Sequence, residues 1–351
     1  MNQSERIIIN VISGKGGTGK TLLSCVLADM LGNHPNAQVV IVDLDIFVRG
    51  LTSLLYFHQE ERLRVADEDE YVVADFFVKK LTSVTMTHRP LAIKNYRSFG
   101  VVPAVGRIDE TLDYPDISPN DLEQASMILQ NILDHIPDRY RFVILDSRAG
   151  YDELIAATHK LSTVSVCVEE QDPISQVTAD NLVAQLRHSK IPVFRLINKA
   201  RGIKSERDLD RETRNIGDLG VIPFDMDVLN NFGSKHFWDE IARSLYRSAA
   251  ARVWNRLSAK MRFDVELTPP RISPVGNEAL ETYIGMLSTR DRVFFLYGIF
   301  IGVCGITYGF FGSNLIRMLK EEPFRLVMFM MGIIGILFSL VAFLRPRRLR
   351  R

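Results

Sequence analysis

The sequence predicts a doubly wound, mostly parallel α/β domain followed by a transmembrane helical hairpin. Three observations predict it. Strand-like apolar runs alternate with helix-like runs from Arg6 to Phe263. A glycine-rich stretch, Gly14–Thr21, separates the first strand from the first helix. Two long runs without a formal charge, residues 293–312 and 326–344, follow the alternating part. Alternation of strand and helix builds a parallel sheet covered on both faces, with ligands at the carboxyl ends of its strands. The expected divisions are an α/β domain at 1–263, a proline-rich linker with a short helix at 264–289, and a hairpin at 290–351.

Composition narrows the function classes. The chain has 351 residues, 46% hydrophobic and 24% charged, which excludes a disordered or fibrous protein. With 43 basic and 42 acidic residues there is no basic excess, and no nucleic-acid partner is expected. Cys25, Cys167 and Cys304 are too few and too far apart for a disulfide framework or a four-thiolate metal site. The seven histidines are equally scattered.

The first element is Arg6–Ser13, RIIINVIS, an apolar strand. It runs into GKGGTGKT, Gly14–Thr21, and then into a helical run from Leu22 to Leu31. Strand, glycine loop and helix in this order form the context of a phosphate-binding loop. Gly14, Gly16, Gly17 and Gly19 let backbone amides curl around an anion, and the helix N-terminus adds a positive dipole end. Thr18 belongs to the same cradle. Lys20 is placed to reach the β- and γ-phosphates, and the Thr21 hydroxyl to ligate Mg²⁺.

A second lysine, Lys15, follows the first glycine. In this the loop resembles the ParA/MinD family of deviant Walker ATPases, whose loop reads KGGxGK[ST]. The resemblance implies that Lys15 crosses a dimer interface to phosphates bound by the other subunit. ATP would then be part of an ATP-dependent homodimer interface, and losing the γ-phosphate would weaken it. Leu22 stands where many members have a second threonine; its backbone amide remains, and somewhat weaker binding is expected.

Further stretches extend the resemblance over residues 6–255. Val39–Asp45, VVIVDLD, is a buried strand ending in two carboxylates, and the family match puts Asp45 near the γ-phosphate, orienting the attacking water, with Asp43 supporting the magnesium shell. Phe142–Gly150, FVILDSRAG, ends an apolar strand in Asp146, near Mg²⁺ and its water. The family commonly has proline where this chain has Arg148, which leaves two places open for that side chain, the phosphates or a partner-facing surface. FRLINK carries Asn198 where the family has an adenine-contacting asparagine. GVIPFD resembles the family's GVIPED, with Pro223 bordering the purine. Adenine is thus implied by resemblance, and Asn198-Lys199 followed by Ala200-Arg201 lacks the guanine-reading NKxD motif. The implied cofactors are ATP and Mg²⁺. Iron–sulfur carriers share the loop, but the CxxC pair that holds their metal is absent.

Each apolar run makes a helix of roughly 30 Å, the thickness of a bilayer's hydrocarbon core. The connector is short, so both outer flanks lie on one side. Arg290, Arg292, Arg345, Arg347, Arg348, Arg350 and Arg351 flank the pair; Arg317, Lys320 and Arg325 lie in the connector. This bias places the flanks, the N-terminal domain and residue 351 in the cytoplasm, at a bacterial inner membrane. Gly298, Gly302, Gly305, Gly309 and Gly312 form one stripe, and Gly332, Gly335, Ser339 and Ala342 another, suited to close helix packing. Leu267–Gly276, LTPPRISPVG, reads as an extended linker and 277–288 as a short helix. Trp238–Phe263 reads as one amphipathic helix carrying Arg243, Arg247, Arg252, Arg256 and Arg262, and DEDE at 67–70 as a solvated loop.

The expected function is a membrane-resident ATPase switch that recruits or positions an unidentified protein partner. A bacterial-type tyrosine kinase is the first alternative; its spans usually precede the catalytic domain, and it ends in a tyrosine cluster that this chain lacks. A partition-type DNA carrier is the second; two spans would hold it off the nucleoid.

Overall fold

A computed structural model describes residues 6–78, 89–113, 117–203, 206–215 and 218–270. The chain divides into two units, Met1–Ile272 and Ser273–Arg351, and the described residues belong to the first. The apolar runs 293–312 and 326–344, their small-residue stripes and the expected helix at 277–288 lie outside the described residues. Among the described residues no helix is long and apolar enough to cross a membrane.

The described residues build an eight-stranded sheet: β1 (Ile7–Ser13), β2 (Val39–Asp43), β3 (Lys94–Tyr96), β4 (Phe99–Val102), β5 (Phe142–Ala149), β6 (Val164–Glu169), β7 (Val193–Ala200) and β8 (Val221–Pro223). Their order is β3-β4-β2-β5-β1-β6-β7-β8. Every pairing is parallel except β3 with β4, a hairpin at the edge. The central strands are buried on both faces, which is why they read as continuous Val/Ile/Leu runs. The expected mostly parallel α/β sheet is therefore present.

Ten helices within the described residues connect the strands: α1 (Lys20–Gly32), α2 (Gly50–His58), α3 (Val73–Val78), α4 (Leu122–Asp134), α5 (Glu153–Leu161), α6 (Pro173–Leu186), α7 (Glu206–Asn215), α8 (Met226–Asn231), α9 (Phe237–Arg243) and α10 (Leu245–Met261). One face of the sheet packs on α1, α2, α9 and α10 through Ile9, Phe142, Ile144, Leu23 and Trp254. The other face packs on α3, α4, α5 and α6 through Val143, Leu145, Phe76, Leu129 and Leu182. Capping follows the sequence: Asp121, Asp152 and Asp172 accept the exposed amides at the heads of α4, α5 and α6.

The helix expected over 238–263 is two helices. Ser244 breaks it, because its extended backbone and its hydroxyl, which accepts from Arg247 N, start α10 afresh. The basic side chains of α10 are partnered within the domain: Arg247 Nη1 donates to buried Asp29 at 3.0 Å, and Arg252 pairs with Asp210. That fits a helix packed on the sheet by its apolar face. The head of the expected linker belongs to the body. Trp254, fully buried, stacks on Phe263 and donates Nε1 to Val265 O at 2.9 Å. Asn255 exchanges two bonds with the Leu267 backbone at 2.7 and 2.8 Å. The acidic run at 67–70 anchors the edge hairpin, with Asp67 and Glu70 both on Lys94.

Candidate nucleotide-binding site

The carboxyl ends of β1, β2, β5, β6, β7 and β8 converge on the glycine loop. Gly14 packs so tightly on α6 that a Cβ there would lie 2.4 Å from Thr178 backbone atoms. Gly17 and Gly19 take left-handed φ values of 78° and 88°, which glycine adopts without strain. A Cβ on Gly16 or Gly17 would meet nothing within 4 Å, so this side of the loop is an open cradle. Inside the loop the Thr18 hydroxyl is buried without a partner. An open ring of backbone amides with a buried hydroxyl and the head of α1 fits an oxyanion ligand such as a polyphosphate.

Lys20 opens α1 and is buried. Its Nζ donates to Ser13 Oγ at 2.9 Å. Burial lowers its pKa, while the carboxylates of Asp146 and Asp45 work in the opposite sense. The ammonium is thus a charge held in poor solvent. Thr21 Oγ1 donates to Asp146 Oδ2 at 2.7 Å, and Ser24 Oγ to Asp146 Oδ1 at 3.2 Å. Desolvation pushes the Asp146 carboxyl up to about 6 despite those bonds and Lys20. A hydroxyl and a carboxylate side by side are hard oxygen donors of the kind Mg²⁺ takes. Mg²⁺ held by Thr21 and Asp146 would supply positive charge to the phosphates and favour the ionised carboxylate.

Asp43 lies at the end of β2, paired with Asp146 on β5. It is fully buried, and its oxygens are occupied by the chain itself: Oδ2 accepts from Thr52 N and Oγ1 at 2.9 and 2.8 Å, and Oδ1 from Asp45 N at 3.3 Å. Burial and neighbouring Asp146 raise its carboxyl to about 7. Asp43 therefore fixes the head of α2 and the backbone of Asp45. Asp45 itself is half-buried at the end of β2, with Oδ1 accepting from Val48 N at 3.2 Å. Leu22 points its side chain into the core, so only its backbone amide is left for the loop.

Just past Asp146 the β1–β5 register slips by one residue, Val11 pairing Asp146 and Ser13 pairing Ala149. Such a slip redirects the following side chains. Arg148 comes after it and forms an ion pair with Asp152, the residue that caps α5.

Lys15 sits at the outer rim with both acids of the β6–α6 turn: Nζ is 3.1 Å from Glu170 Oε2 and 2.8 Å from Asp172 Oδ2. The Asp172 bond holds its pKa above the usual lysine value. Glu170 also takes Lys199 Nζ at 2.8 Å, and Lys199 donates to Gly17 O. Asn198 is fully buried and donates Nδ2 to Thr18 O at 2.7 Å. The ends of β6 and β7 thus brace the loop from outside. Beside them lies a cavity of about 560 Å³ lined by Glu170, Gln171, Asp172, Lys199, Arg201 and Phe224. Its size suits a nucleoside. Pro223 is buried beneath it, and Phe224 presents the exposed ring. Glu170, Lys199, Arg201 and Phe224 are functional candidates that sequence reasoning missed. The available signal was their place at or just after a strand end.

A ParA family profile, described as an NUBPL iron-transfer P-loop NTPase, matches residues 4–89. An ATP-binding protein of Methanocaldococcus jannaschii is 23% identical over 217 residues, covering 61% of this chain and 68% of that one. A plasmid partition protein of Borrelia burgdorferi B31 bound to AMPPNP superposes with a TM-score of 0.54 at 15% identity, over 73% of this chain and all of that one. MinD of Pyrococcus horikoshii with Mg-ADP gives 0.51 at 18% identity, over 74% of this chain and all of that one. The chain has the ParA/MinD-type P-loop NTPase fold. The profile match spans β1, the glycine loop and the Asp43–Asp45 turn, the part of this fold that handles phosphate. Among the described residues Cys25 and Cys167 are both buried, and no group of three His, Cys, Asp or Glu side chains is placed to hold a metal ion.

Proposed function

We propose that this chain is a membrane-anchored, Mg²⁺-dependent ATPase that works as a dimerisation switch and recruits or positions a protein partner at the bacterial inner membrane. One observation carries the reading. A single glycine loop bears two lysines in different settings: Lys20 buried beside Ser13, and Lys15 at the rim on Glu170 and Asp172. Lys20 serves the phosphates of its own loop. Lys15 would leave Glu170 and Asp172 to serve those of a second copy, as the resemblance of the loop implies.

The division of labour follows from the side chains. Thr21 and Asp146 hold the cation, and Asp45 orients water at the mouth of the site. Backbone amides of Gly14–Leu22 take the phosphate oxygens. Fixed donors of this kind stabilise charge developing in transfer of the terminal phosphoryl group. Adenine is favoured over guanine because the motif that reads guanine is incomplete after Asn198-Lys199. The AMPPNP and Mg-ADP bound to the Borrelia and Pyrococcus proteins support the same choice. Around the mouth, Val48 and Ile174 are 73% and 71% exposed, with Tyr151 and Val177 also open to solvent. Exposed apolar side chains beside a charged site support a protein-facing surface.

The charge-free runs at 293–312 and 326–344 support two spans with a cytoplasmic ATPase domain. Two spans hold a protein in the bilayer far more firmly than one amphipathic helix. ATP then controls dimerisation or partner binding in the plane of the membrane, with attachment constant. Fractionation of cells expressing wild-type and Lys20→Ala chains tests this. Both are expected in the carbonate-washed membrane pellet. Recovery of Lys20→Ala in the soluble fraction contradicts it.

A further inference from the structure

At the amino ends of the strands, away from the glycine loop, lies a second cavity of about 360 Å³. Its polar lining comes from four separate places: Arg6 before β1, Arg141 before β5, Thr163 before β6, and Arg262 with Asp264 after α10. Three guanidinium groups thus face one carboxylate.

These groups are differently engaged. Arg6 is fixed, donating to Leu133 O and Ile136 O at 2.8 Å and to Asp138 at 3.0 Å. Arg141 pairs with Asp264, donates Nη1 to Asn36 O at 3.5 Å and lies over the Phe142 ring, and its Nε is buried with no hydrogen-bond partner. Thr163 Oγ1 accepts from Ile8 N at 3.0 Å, which leaves its hydroxyl hydrogen to give. Arg262 has a left-handed backbone, φ 59°, a conformation that suits glycine and strains arginine. Its side chain is exposed to solvent at the edge of the cavity. The cavity thus gathers guanidinium groups from two separate elements and a hydroxyl with a hydrogen to give, the donor set an oxyanion takes.

We propose that this cavity is a binding site for a phosphate group, held by Arg141, Arg262 and the Thr163 hydroxyl over the rigid base of Arg6. Guanidinium forks match phosphate oxygens in pairs, which favours phosphate over a simple halide. The volume admits a phosphomonoester or a phosphodiester with a small substituent, so free phosphate and a lipid headgroup share the required chemistry. The site does not depend on the nucleotide reading.

The test uses the full chain in detergent with Mg-AMPPNP at saturation, so that the glycine loop is filled. Inorganic phosphate and glycerophosphoglycerol are titrated separately by calorimetry, against chloride at equal ionic strength. The wild-type chain is expected to bind at least one of them. Arg262→Gly keeps the left-handed turn and removes the guanidinium, and it is expected to weaken binding about tenfold or more. Its ATP hydrolysis is expected to be unchanged. Binding in the Lys20→Ala chain is expected to persist, which assigns the heat to this cavity and not to the loop. Preference for the diester identifies a lipid headgroup, and preference for inorganic phosphate a soluble ligand. The proposal is overturned if neither probe binds, or if Arg262→Gly binds as the wild type does.

Discussion

Replacing Lys20 with alanine is expected to weaken Mg-ATP binding by about two to three orders of magnitude while leaving the fold intact. Lys20 is buried at the head of α1, and its one described hydrogen-bond partner is a hydroxyl, Ser13 Oγ. Its lowered pKa has burial as its leading cause, so the ammonium is under-solvated until an anion arrives. Two charge-assisted bonds to phosphate oxygens, each worth about 1.5–3 kcal/mol, would then be lost together. Titration with a fluorescent ATP analogue reads the loss. Thermal melting supplies the control. The ligand-free variant should melt near the wild type, and the rise seen on adding nucleotide, about 2.7 kcal/mol at a hundredfold excess over Kd, should vanish. Unchanged affinity would mean that the phosphates lie elsewhere.

Replacing Asp146 with asparagine is expected to cut ATP hydrolysis by about two orders of magnitude or more, with a much smaller effect on nucleotide binding. The amide is nearly isosteric, so the contacts to Thr21 and Ser24 have partners, but the negative charge is gone. In the wild type, burial holds the Asp146 carboxyl up at about 6, and a divalent cation beside it would favour the ionised form further. Initial rates across a magnesium titration separate the effects. Chelation of Mg²⁺ should bring the wild type down to the level of Asp146→Asn, and the variant should respond little to added metal. A variant as active and as magnesium-dependent as the wild type would remove Asp146 from the cation site.

The phosphate-binding half of this site was legible in the sequence because it is local. Strand, glycines, lysine and helix lie within residues 6–32, and each residue does there what its chemistry allows. Asp146 was legible as well, since an apolar strand ending in an acid has few other readings. The surroundings of Lys15 were not, because Glu170 and Asp172 come from 155 and 157 residues away. No spacing rule connects them; only the sheet order, which brings β6 beside β1, does. The setting of Asp43 was hidden for a related reason. A carboxylate after a strand suits a cation or a helix head, and the two hydrogen bonds from Thr52 come from a residue no strand pattern points to. The break at Ser244 was present as a capping residue, but the apolar period runs across it and dominated the reading. The turn after α10 was read as linker because prolines follow it, while Val265 and Leu267 are buried against Trp254 and Asn255.

The dimer reading rests on Lys15, and native mass spectrometry of the full chain in detergent micelles, saturated with Mg-AMPPNP, tests it most directly. A two-copy mass is expected for the wild type with two bound nucleotides, and a one-copy mass with nucleotide still bound for Lys15→Ala. A wild-type chain that stays single at saturation, or a Lys15→Ala chain that pairs as readily as the wild type, would contradict it.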